Sequence, residues 1–149
     1  MTYFSEIYRL FLGSIQSYEL ETLFVQDTDA AEEKLEIYLI KSIPEFSTCV
    51  KDLNNVDMQE KCFNEILDID EKVILCDLMV EKWFEQTVND ILNIREVLGD
   101  TDYKISNKPQ QLKASVDAME IAREKVHHNM TQYSFKHNPP DDWGVLWNI

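Results

Sequence analysis

Apolar residues recur every three or four positions along most of the chain, the period of an amphipathic helix. In residues 5–17, Ile7, Leu10, Phe11 and Ser14 or Ile15 share one stripe, with Ser5 as N-cap and Gly13 weakening the far end. A short apolar patch follows, Leu20, Leu23, Phe24 and Val25, and then a polar turn, Gln26-Asp27-Thr28-Asp29. Asp27, Thr28 or Asp29 can cap the next helix, which places Glu32 and Glu33 near the positive end of its dipole. Leu35, Tyr38 and Leu39, continued by Ser42 and Ile43, form its buried side, and Pro44 stops it because the residue before a proline is pushed out of helical geometry.

Residues 45–67 lose the helical period. Phe46, Cys49 and Leu53 lie on one side of Asn54-Asn55-Val56-Asp57, and Cys62, Phe63, Ile66 and Leu67 lie on the other. Turn-forming asparagines between apolar runs predict a small two-stranded or irregular excursion, too short to stand without a neighbour. Helical spacing resumes at Asp68-Ile69-Asp70-Glu71, where Asp68 caps and Glu71 completes a capping box. Val73, Ile74, Leu75, Leu78, Met79, Trp83, Val88, Ile91 and Leu92 occupy more than one face, so this helix is central. A bend or break is expected near Thr87-Val88-Asn89-Asp90, with the helix resuming to Leu98 and Gly99 ending it.

Residues 100–105 read as a polar loop. Ser106 then caps a last helix that tolerates Pro109 in its first turn. Leu112, Val116, Met119, Ala122 or Arg123, Val126, Met130 and Tyr133 keep helical spacing to Phe135. At 1.5 Å per residue that helix is about 40–45 Å long, the width of a small domain. Pro139-Pro140 closes regular structure. The final segment holds Trp143, Val145, Leu146, Trp147 and Ile149, too apolar for an ordinary free terminus. It either folds back onto its own domain or anchors in another subunit, since tryptophans in a detached segment fill a partner's pocket well. The expected fold is all-α: a bundle of about four helices over residues 1–138, with the excursion at 45–67 and an extended tail over 139–149.

Composition narrows the function. The 149 residues fit one domain, and 44% hydrophobic with 28% charged content suits a folded chain. The formal charge is −14. Residues 1–105 carry 9 basic and 23 acidic side chains, and residues 106–149 carry 5 of each. Such a chain does not bind DNA phosphates over its general surface. No apolar run reaches a membrane span, and the N-terminus is read as lacking a secretion signal. Cys49, Cys62 and Cys76, separated by 12 and 13 residues, do not have zinc-ligand spacing and are read as reduced, packed thiols. His127 and His128 point apart on one helix, and Glu124 with His128 lacks a third ligand, so no metal is expected. Lys104, Lys108 and Lys113 make a positive cluster at the start of the last helix, either ordinary surface or a pairing site for an acidic patch on another copy. No phosphate loop or nucleophile elbow is present, so the chain is read as non-enzymatic, with no cofactor.

The layout, together with Leu75-x2-Leu78-Met79-x3-Trp83 and the run from 123 to 135, resembles the small helical head–tail connector (adaptor, or neck) proteins of tailed bacteriophages over residues 3–137. Segment 143–149 has no counterpart in that pattern. The resemblance implies a virion structural protein, assembled in the host cytoplasm and located at the neck. It would form a ring of about twelve copies. The ring would join the capsid portal to a downstream neck or tail-completion protein and extend the DNA channel without binding DNA specifically. On that analogy Trp143, Val145, Leu146, Trp147 and Ile149 dock to a partner. Met119, Arg123, Val126, Met130, Tyr133 and Phe135 pack subunits together. Acidic residues within 19–36 or 52–71 would face the channel. The alternatives are an acidic DNA mimic occupying a nucleic-acid enzyme, or a regulatory helical module binding one partner through residues 139–149.

Overall fold

The computed structural model describes residues 1–139 except Gln16. The predicted tail residues Trp143, Val145, Leu146, Trp147 and Ile149 lie outside the described residues. The chain is mostly helical with one small antiparallel sheet. Its elements run β1 (Thr2–Tyr3), α1 (Phe4–Ser14), α2 (Tyr18–Gln26), α3 (Thr28–Ser42), a single 3-10 turn (Ile43–Glu45), β2 (Val56–Asp57), β3 (Cys62–Phe63), α4 (Ile69–Leu98), α5 (Asp100–Ile105) and α6 (Lys108–His137).

Local chemistry accounts for most of the boundaries. α1 starts one residue before the expected Ser5 cap, because the Tyr3 amide donates to the Glu6 carboxylate at 2.8 Å. It stops at Ser14, and Ser17 instead caps the next element by accepting from the Leu20 amide at 3.3 Å. The patch at 20–25 is therefore a nine-residue helix of its own. Among the three capping candidates for α3, Asp27 is used, accepting from the Ala30 amide at 3.1 Å. Pro44 sits in the 3-10 turn that ends α3. Asp68 and Glu71 form the expected capping box, with Asp68 Oδ1 accepting from the Glu71 amide at 2.9 Å.

Three expectations fail. α4 does not break at 87–90; Thr87 donates its hydroxyl to the Trp83 carbonyl at 3.0 Å and stays within an unbroken helix. Residues 100–105, expected as a loop, form α5, where the Arg95 guanidinium lies 5.0 Å from the centre of the buried Tyr103 ring. Ser106 does not occupy the N-cap of α6, which is Asn107. Ser106 instead ties the turn, donating to the Tyr103 carbonyl at 2.7 Å and accepting from the Lys108 amide at 3.3 Å.

The excursion resolves into a hairpin. β2 pairs β3 with Val56 opposite Phe63 and Asp57 opposite Cys62. Lys61, with φ 53°, takes the left-handed step of the turn. The neighbour it needs is the chain's own N-terminus: β1 pairs the other edge of β3, Thr2 opposite Phe63. Thr2 locks that pairing, accepting from the Leu67 amide at 2.9 Å and donating to the Glu65 carbonyl at 3.1 Å. The sheet, α1, α3 and the first half of α4 then enclose Phe4, Ile7, Phe11, Leu35, Leu39, Phe63, Leu75 and Met79, all fully buried. Each such side chain contributes about 1.5–3 kcal/mol of burial.

Candidate functional site

α4 and α6 run antiparallel, because facing pairs advance along one helix as they retreat along the other: Asp70 with Lys136, Asp77 with Asn129, Glu81 with Arg123. Each is 30 residues. That is about 45 Å at 1.5 Å per residue. The core covers only one end of this pair, and three zones follow along it.

The core end holds a buried polar joint. Glu71 is 0% exposed. Its Oε1 accepts from Lys51 Nζ at 2.8 Å and from the Asp68 amide at 3.2 Å; its Oε2 accepts from the Cys49 thiol at 3.4 Å. The Tyr133 hydroxyl accepts from the Val50 amide at 3.1 Å and donates towards Cys49 Sγ at 3.8 Å. Phe46 meets the Tyr133 ring edge-on at 5.1 Å. Burial pushes the Cys49 thiol up, and the Glu71 charge adds to it. Burial likewise raises the Tyr133 phenol. Hydrogen bonding to Glu71 raises the Lys51 ammonium. A thiol held protonated is a poor nucleophile, so this arrangement fastens the 46–51 segment to both helices. The adjoining crevice, about 230 Å³, is bridged by Asp70 and Lys136 at 2.9 Å. It is smaller than a usual ligand cavity.

The middle zone is an ion-pair ladder. Asp77 meets Lys125 at 3.4 Å, and Arg123 reaches Glu81 and Glu85, each at 3.1 Å. Lys82 joins Glu85 at 3.6 Å and also pairs with Glu45 after α3. Asp77 and Glu81 are buried, so these cations answer real desolvation and not surface decoration.

Beyond the ladder the two helices and α5 form an arm. In residues 87–121 only Ile91 and Tyr103 are buried. Val97 is 86% exposed, Ile105 81% and Ile121 67%. Leu92 and Leu98 are also exposed.

The expected packing residues fall in all three zones. Val126 and Tyr133 are buried in this chain's own core, and Met130 packs partly against it. Arg123 belongs to the ladder. Met119 sits half-buried in a small crevice with Glu85, Val88 and Asn89, and Phe135 is exposed. Met119, Arg123, Val126, Met130 and Tyr133 share one face of α6, which meets α4 and the core of this chain, and Phe135 lies off it. His127 and His128 are exposed, and the His137 ring lies 4.3 Å from that of Tyr133. Among the described residues no group of three His, Cys, Asp or Glu side chains could hold a metal ion. Nor is any helix among them long and apolar enough to cross a membrane. Sequence reasoning missed the arm and the buried joint. The first was signalled by Val97, Leu98 and Ile105 placed either side of Gly99. The ladder was signalled by acids four apart at Asp77, Glu81 and Glu85 facing Arg123 and Lys125.

No protein-family model, curated protein or solved structure matches this chain.

Proposed function

We propose that the chain is a non-enzymatic structural adaptor of a phage virion. It assembles with copies of itself into a ring between the capsid portal and the next neck or tail protein. The ring lengthens the channel through which DNA passes. The observation that carries this reading is the arm. It extends a two-helix lever past the core and displays Val97, Ile105 and Ile121, which the rest of the described chain leaves uncovered. Apolar side chains held out on a rigid support suit contact with another subunit. The layout's resemblance to head–tail connectors supports the same role. The polar joint at Glu71 supports it further, because its groups are paired or kept neutral and so suit fastening more than turnover. On this reading the segment at 143–149 docks to the portal or to a neighbouring copy. The strong negative charge keeps passing DNA from adhering.

Quantitative mass spectrometry of purified virions tests the proposal. The chain is expected at the same copy number as the portal protein, about twelve per particle. Its absence from particles, with binding to a nucleic-acid enzyme that DNA displaces, would establish the DNA-mimic alternative instead.

A further inference from the structure

An open cleft of about 660 Å³ lies between α3 and the β2–β3 turn. Its floor is Ile37, Ile40 and Met58, all exposed. It shares Glu33, Glu36 and Lys61 with a neighbouring cleft of about 340 Å³ that adds Asp29, Glu32 and Glu60. Glu36 is neutralised by Lys61 at 2.8 Å. Asp29, Glu32, Glu33 and Glu60 pair with no cation among the described residues. Lys41 also lines the larger cleft, so the groove has an apolar floor and a wall on which these four carboxylates outnumber one lysine that is unpaired among the described residues.

The arm carries the opposite arrangement. From residue 103 to 116 there are three lysines and no carboxylate. Lys104 and Lys113 pair with no carboxylate among the described residues, and Lys108 reaches the Gln111 side chain at 3.2 Å. Ile105, next to Lys104 in the chain, is exposed, and so is Val97 at the end of α4. Along α4 and α6 the other cations, Lys72, Lys82, Arg95, Arg123, Lys125 and Lys136, are each matched within the chain.

The two surfaces sit far apart on one molecule. Tyr3, at the acidic cleft, adjoins Glu6, which pairs with Lys72 near the start of α4. The tip begins after Leu98, roughly 39 Å farther along that helix. An arm therefore cannot reach its own groove.

We infer that the lysine-bearing arm tip of one copy docks in the α3/β-hairpin groove of the next, with Ile105 and Val97 on Ile37, Ile40 and Met58 and the lysines against the acidic wall. The inference rests on the adaptor reading and names its subunit contact. Joining unlike surfaces head to tail leaves a tip and a groove open at each end, which a closed ring satisfies. It also relieves the self-repulsion of a strongly acidic chain where copies meet.

Charge reversal in the full chain tests it, read by sedimentation velocity at low and high salt. The wild-type chain is expected to form species larger than dimers that weaken as salt rises. The arm set, Lys104→Glu with Lys108→Glu and Lys113→Glu, and the groove set, Glu32→Lys with Glu33→Lys and Glu60→Lys, each weaken association by roughly tenfold or more. Mixed together, the two sets co-assemble beyond heterodimers, since the unaltered tip fits the unaltered groove and the reversed tip fits the reversed groove. Combining both sets in one chain leaves the net charge unchanged and restores assembly. Ile105→Ser weakens association without reversing a charge, and circular dichroism verifies the fold of every variant. Reversed sets that assemble as wild type, a mixture that stays monomeric, or a wild-type chain monomeric at millimolar concentration overturns the arm–groove contact. The adaptor reading stands or falls separately, on copy number in virions.

Discussion

The two ends of the α4–α6 pair are built on different terms. At the core end, residues 71–79 of α4 are enclosed by α1, α3 and the sheet, and even a carboxylate, Glu71, is fully buried with partners for both oxygens. At the arm end the same two helices have only each other and α5, with Ile91 and Tyr103 as their buried contacts. One end is stabilised by tertiary packing; the other is a lever whose apolar residues contribute little to the monomer. Residues that cost nothing to lose in the isolated chain, yet are apolar and held rigidly outward, are candidates for assembly.

The sharpest way to break this comparison is truncation at each end. Phe63→Ala empties a site packed against Phe4, whose ring centre is 5.1 Å away. It is expected to lower unfolding stability by about 3–5 kcal/mol in urea titrations. Val97→Ala, at the arm, is expected to stay within about 0.5 kcal/mol of wild type in the same titrations. A large loss at Val97 would show that the arm is part of the cooperative core.

The buried joint comes next. Glu71→Ala leaves the Lys51 ammonium and the Cys49 thiol without their shared acceptor and removes one arm of the α4 capping box. A cost of about 1–3 kcal/mol is expected from the groups left unsatisfied. Glu71→Gln retains one oxygen acceptor and should recover part of it. Equal loss in both would mean that charge, more than hydrogen bonding, holds the 46–51 segment.

Sequence legibility follows the same division. α3 and α4 were readable because periodicity and caps act over a few residues: Asp27 and Asp68 cap where the polar turns place them, and Leu35, Tyr38 and Leu39 are buried as their spacing requires. The hairpin at 56–63 was readable as one of two options, because asparagine-rich turns between apolar runs are local signals. β1 was not, since two residues carry no period and their pairing with β3 spans some sixty positions. α5 was hidden by its polarity; it is held by the Arg95–Tyr103 contact. The last helix misled in a different way. Its continuous stripe from Leu112 to Tyr133 keeps one face, but that face crosses from arm to core, so Val126 and Tyr133 are buried at home while Ile121, off the stripe, is exposed. Burial of Glu71 was unreadable because Lys51, twenty residues away, supplies its counter-charge.

The ladder between the two ends sets how far stability propagates outward. Arg123→Ala removes the partner of Glu81 and one of two partners of Glu85, which keeps Lys82. Because the guanidinium is half-exposed, a cost of about 0.5–1 kcal/mol is expected in denaturant titration. Hydrogen exchange should sharpen the contrast: amides at 87–98 and 108–120 exchange faster than those at 71–79 in wild type, and faster still in the variant. Unchanged arm exchange would show that Tyr103 and Ile91 secure the arm without the ladder.

The smallest effect is a titration at the core end, at the start of α1. The Glu6 carboxyl is held below the ordinary value chiefly because the Tyr3 amide donates to it, with Lys72 at 3.3 Å adding a weaker pull against desolvation. A carboxylate favoured in the folded state takes up its proton more readily once unfolded. Its stabilisation is therefore complete above the unfolded pKa of roughly 4.3, and it is lost as pH falls through the lower folded value. Solvent around this exposed side chain keeps the effect small. Glu6→Gln should consequently be slightly less stable than wild type at pH 7, and the gap should narrow in thermal melts as pH falls from 5 towards 2. A gap that does not narrow over that range would mean that Glu6 acts through packing of the β1–α1 junction, a contact the protonated side chain would still make.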